Sequence, residues 1–74
     1  MNVIYEKSLG KNIRKIRMQK KLSQEQISAQ LQIKGCDITR SAYAKIEVGQ
    51  RHIYADEIKA LKEILDISYD ELFI

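Results

Sequence analysis

Apolar residues recur along this chain at spacings of three and four, the period of a helix that buries one face. Leu9, Ile13 and Ile16 form one such stripe, with Lys11, Arg14 and Lys15 on other faces, which predicts a helix over about 9–20. Ile58, Leu61, Ile64 and Leu65 form another, for a helix over about 55–65 whose start is poorly marked, since Tyr54 is no cap. Three further starts are marked by a hydroxyl residue behind an apolar one: Leu22-Ser23, Ile38-Thr39 and Ile67-Ser68. The hydroxyl can accept from the free amides of the first turn. The apolar residue can pack on the one five positions later, here Ile27, Tyr43 and Leu72. Gln26 behind Ser23 and Glu71 behind Ser68 complete reciprocal capping boxes. Helices therefore begin near Gln24, Arg40 and Tyr69, the first of these running over about 24–32 and the next over about 40–48. No segment alternates as a strand does, and no repeat is visible. The expectation is an all-α chain of five short helices joined by short connections.

Seventy-four residues make one domain with a thin core. Residues 9–74 are read as that domain, with 1–8 as a polar and charged lead-in. The single cysteine, Cys36, closes no loop and is read as a turn residue without chemistry. With His52 it falls two ligands short of a structural zinc site, so no metal is expected, and no cofactor. The N-terminal residues carry no apolar run of signal length, and nothing approaches the roughly 18 apolar residues of a membrane span, so a cytoplasmic protein is expected. An enzyme is not expected either. The sequence holds no nucleophile–base pair, no carboxylate pair set apart from the rest and no glycine-rich phosphate loop.

The formal net charge of +3 means little beside its distribution. From Met1 to Leu22 there are seven basic residues (Lys7, Lys11, Arg14, Lys15, Arg17, Lys20, Lys21) against Glu6, whereas the stretch from Ile53 to Ile74 carries a net −4. A basic half suits a polyanionic partner, and an acidic half is held away from it.

The second and third helices stand in sequence as a pair joined by a turn, an arrangement in which one helix crosses the DNA backbone and the next enters the major groove. From here the chain resembles the Cro/repressor-type helix-turn-helix domains, the Xre family. The resemblance rests on Gly10-Lys11-Asn12-Ile13-Arg14-Lys15-Ile16-Arg17, on Leu22-Ser23-Gln24-Glu25-Gln26-Ile27, on the run from Arg40 to Arg51, and on the run from Leu65 to Leu72. It covers nearly all of the chain after Ser8. One departure is clear. Between Leu31 and Ile38 the chain has about five residues more than the family's usual turn, including Lys34-Gly35-Cys36-Asp37, and Gly35 can end the second helix. The longer turn loosens any expectation of how the third helix is aimed.

The resemblance implies a sequence-specific double-stranded DNA-binding regulator, of the repressor type, reading the major groove with the helix over 40–48. Arg40, Ser41, Ala44 and Lys45 share one side of that helix and are the expected base contacts, with Tyr43 and Ile46 on the core side. Arginine can fork onto a guanine, lysine can reach a guanine or a phosphate, and an alanine methyl suits thymine. Gln24, Gln50, Arg51 and His52 match positions where the family touches phosphates. Val48 stands where many members carry a polar residue, so one such contact is missing. Arg17 and Glu47 match charges that pair inside the family's domains and are expected to be structural.

A homodimer on a palindromic operator is the expected assembly, because a single reading head of this size buries little DNA surface. The closing run Leu72-Phe73-Ile74 is the expected contact. Two other functions fit parts of the pattern. The same fold can serve as an antitoxin-like module that binds a protein, which salt-dependent DNA binding would exclude. The basic stretch from Lys7 to Leu22 could lie on a membrane, but Ile13 and Ile16 would then be needed for both lipid and core.

Overall fold

The computed structural model describes the backbone of residues 3–73 and the side chains of residues 6–73. Its elements are five helices: α1 (Val3–Gln19), α2 (Gln24–Ile33), α3 (Arg40–Glu47), α4 (Ala55–Leu65) and α5 (Tyr69–Leu72). No strand occurs among the described residues, and no described helix is long and apolar enough to cross a membrane.

Three of the five starts are set by hydroxyl side chains. Ser23 Oγ accepts from the Gln26 amide at 3.0 Å, Thr39 Oγ1 from the Ala42 amide at 3.1 Å, and Ser68 Oγ from the Glu71 amide at 3.1 Å. Gln26 and Glu71 return the bond to the backbone amides of Ser23 and Ser68. The start of α4 is closed differently, by the Glu57 carboxylate accepting from the Tyr54 amide at 3.0 Å. The ends are made by residues in the left-handed region: Gly35 at φ 90° after α2 and Asp66 at φ 54° after α4.

The apolar stripes meet in one core. Ile13 of α1, Ile27 and Leu31 of α2, Tyr43 and Ile46 of α3, Leu61 and Leu65 of α4 and Leu72 of α5 are fully enclosed. Gly10 lets α1 cross closely over the end of α3, since a Cβ there would overlap the carbonyl oxygen of Ile46. Asn12 fastens α5 to α1, its Nδ2 donating to the carbonyls of Glu71 at 2.8 Å and Leu72 at 2.6 Å.

One boundary differs from the sequence reading. The first helix begins at Val3, six residues before the predicted Leu9, so most of the supposed lead-in is helical. Glu6, in its first turn, is buried and stands beside His52. The connection between α2 and α3, whose length left the aim of α3 open, runs over six residues, 34–39, and is packed. Cys36 and Ile38 enter the core, the Cys36 amide donates to Leu31 O at 2.9 Å, and Lys34 Nζ meets Glu63 Oε2 of α4 at 2.8 Å.

Candidate nucleic-acid interface

Helix α3 divides cleanly by face, as its 3.6-residue period requires. Tyr43 and Ile46 are fully buried, while Arg40, Ser41 and Lys45 are exposed and Ala44 is half-buried beside them. Arg40 and Ser41 occupy the first turn, directly behind the Thr39 cap. Among the described residues the side chains of Arg40, Ser41 and Lys45 make no hydrogen bond or ion pair, so their donors stay available. The four expected base contacts therefore lie together on one outward face of a helix anchored by its other face.

Glu47 closes the end of that helix. Its carboxylate accepts from Arg17 Nε at 2.6 Å and Nη2 at 3.2 Å, from the Tyr43 hydroxyl at 2.5 Å and from Gln24 Nε2 at 3.0 Å. Arg17 Nη1 also donates to Leu22 O at 2.8 Å. Only 11% of the Arg17 side chain and 1% of the Glu47 side chain reach solvent. Burial alone would raise the Glu47 pKa, but the bonds from Arg17, Tyr43 and Gln24 outweigh it and hold the group below its ordinary value. Burial and the bond to Glu47 push the Tyr43 hydroxyl upward, so it remains a donor. One carboxylate thus ties α1, the start of α2 and the end of α3, and fixes the orientation of the pair.

The expected phosphate contacts fare unequally. Gln24 stands at the start of α2 with its amide nitrogen on Glu47, leaving one N–H and the carbonyl oxygen without a partner among the described residues. Arg51 forks onto Glu57, Nη1 to Oε1 at 2.9 Å and Nη2 to Oε2 at 3.1 Å, and donates to its neighbour's carbonyl at 2.9 Å. This bond to Glu57 holds the carboxylate below its ordinary range against the opposing effect of burial. His52 Nδ1 lies 2.6 Å from Glu6 Oε1, and its ring meets Tyr54 edge-on at 4.8 Å. The loop after α3 is therefore a connected polar cluster whose cation is already balanced. Gln50 is exposed, its side chain without a partner among the described residues and its amide on Lys45 O at 2.8 Å. Val48 is exposed and apolar, as its identity dictates.

Sequence reasoning missed Glu57 and Glu6. Glu57 stands three residues after the residue before α4, a capping-box position that could have been read despite the absent hydroxyl. Glu6 had no such signal, because its partner lies 46 residues away.

Comparison with known proteins bears on the fold. The crystal structure of the DNA-binding domain of BldD is similar over the whole of both chains, with a TM-score of 0.82 at 24% identity. No curated protein matches this sequence. The match to the helix-turn-helix domain family spans residues 10–73, from the close-approach glycine of α1 to the end of α5, and the chain therefore belongs to that family.

Proposed function

We propose that this protein is a sequence-specific double-stranded DNA-binding transcriptional regulator, a repressor of the Xre kind, and that it works without a catalytic step or cofactor. The observation that carries this reading is the outward face of α3. Arg40, Ser41, Ala44 and Lys45 stand together there on a helix whose opposite face is locked into the core. A major groove admits such a helix, and its first turn reaches the base edges deepest. The similar structure, whose protein is described by its DNA-binding domain, supports the same partner.

Gln24 with the amides of its helix start, and Gln50 in the loop after α3, would fix the register on the phosphates. Arg51 and His52 would help there by rigidifying the loop, with Arg51 adding its remaining N–H groups. A pair of copies on a palindromic operator supplies the buried surface that one copy lacks. Selection of bound sites from a random DNA pool tests the proposal, with affinities then followed against salt. An enriched motif with two-fold symmetry and a negative salt slope is expected. A pool that stays random, with no salt-dependent binding, would leave a protein partner as the function of this surface.

A further inference from the structure

The first turns of α1 precede the residues matched by the family, yet two contacts hold them against the loop after α3. Glu6 is buried beside His52, with 2.6 Å between Oε1 and Nδ1. Lys7 lies on Gly49, where a Cβ would overlap its Cγ and stand 2.9 Å from its Cα. Gly49 takes φ 75°, so both its conformation and its neighbour call for glycine. One turn further along α1, Gly10 meets the carbonyls of Ile46 and Glu47. Two turns beyond that, Arg17 binds Glu47, which also holds Gln24.

Positions 7, 10, 14 and 17 follow one another by three and four and so share one edge of the helix. That edge crosses the end of α3, from the loop at Gly49 to Glu47, whose carboxylate also holds Gln24 at the start of α2. Two of its members, Gly10 and Arg17, are turned to the protein. The other two, Lys7 and Arg14, are exposed and make no hydrogen bond or ion pair among the described residues. Lys11 and Lys15 lie further round, toward the side on which Asn12 fastens α5.

We propose that Lys7 and Arg14 are phosphate-binding residues, forming a cationic edge of α1 that grips the DNA backbone beside the groove entered by α3. The proposal rests on the DNA-binding reading above. The edge borders both places where the chain would meet the backbone, the loop at Gly49 and the start of α2. The loop cannot supply the charge by itself, because Arg51 is neutralised by Glu57. Seven residues of helix separate the two cations by about 10 Å along the axis, so each can serve a different phosphate.

The test compares two double variants of equal charge on the same helix, Lys7→Gln/Arg14→Gln and Lys11→Gln/Lys15→Gln. Affinity for the selected duplex is followed from low to moderate salt, with circular dichroism confirming equal helicity. Each lost phosphate contact reduces the slope by about 0.9, so from about 50 to 200 mM salt the wild type should lose about 12-fold more affinity than the first variant. The second variant should keep the wild-type slope. Equal slopes for both variants, or a first variant with the wild-type slope, would overturn the proposal and leave DNA binding standing. A wild type that binds no duplex at any salt would overturn the reading beneath it as well.

Discussion

At the scale of single residues, the molecule separates side chains exposed on the outward face of α3 from side chains that hold the fold. Arg40 has its guanidinium without a partner among the described residues on the outward face of α3, so Arg40→Ala should relax base preference at one position of the site. The cost on the preferred sequence should be about 1–3 kcal/mol. Gln50→Ala should weaken all sequences alike, and a uniform loss for both variants in a mismatch panel would contradict this division. Glu47 belongs to the second kind. Its loss strands the largely enclosed Arg17 charge, for which up to about 3–5 kcal/mol is typical, so Glu47→Ala should unfold or severely destabilise the domain near neutrality. Thermal melting decides this, and a variant that melts with the wild type would refute it. Acid should act through the same group. Glu47 and Glu57 both sit below the ordinary value of 4.5, so the unfolded chain takes up their protons at higher pH than the folded one. Their contribution is therefore complete above that ordinary value and is lost as pH falls through the depressed folded values. The melting temperature should hold from neutrality to about pH 5 and decline below it, the decline being shallower in Glu57→Gln. An acid decline equally steep in that variant would remove Glu57 from this account.

Among the elements, what could be read from sequence was whatever is encoded locally. Ser23, Thr39 and Ser68 announce α2, α3 and α5 because a cap acts within one turn, and the faces of α3 follow from its period. The start of α1 was misplaced because its anchor, Glu6 on His52, spans most of the chain and has no local signature. The pairing of Arg51 with Glu57, only six residues apart, makes an expected phosphate contact also a member of the folded loop. The turn between α2 and α3 gives a further case. Its extra residues left the aim of α3 open in the sequence; in the structure Cys36 and Ile38 are packed and the Cys36 thiol donates to Asp56 O at 3.9 Å. Burial pushes that thiol's pKa up, so both access and thiolate content are low. Alkylation of Cys36 should be at least about 10-fold slower in the native protein than in urea. Equal rates would mean that the turn opens freely and does not set the angle of α3.

For the molecule as a whole, the charge polarity and the exposed end of α5 point to the same assembly. Most basic residues lie on α1 and around α3, whereas Asp56, Glu57, Glu63, Asp66, Asp70 and Glu71 outnumber Lys59 and Lys62 on α4, α5 and their junction. A duplex approached by α3 is expected to leave the acidic half facing away from the phosphates. In α5 Leu72 is fully buried as part of the core, but Phe73 just after it is 55% exposed. Ile74, the other residue expected at the contact, lies outside the described residues. The molecule measures 28 × 21 × 19 Å, so two copies side by side can place their α3 helices one helical turn of DNA, about 34 Å, apart. We expect a homodimer whose contact includes Phe73. Removing Phe73 and Ile74 spares Leu72 and the bonds from Asn12 to the carbonyls of Glu71 and Leu72, so the fold should survive the truncation. Light scattering coupled to gel filtration should then show dimerisation weakened by about tenfold or more, the loss corresponding to burial of one large apolar side chain. Circular dichroism should remain helical, and the truncated chain should still bind a single half-site. A wild type that stays monomeric at high concentration, both free and on a palindromic duplex, would sink the dimer. A truncated chain that dimerises as the wild type does would move the contact away from α5, to the exposed Ile33 or Tyr54.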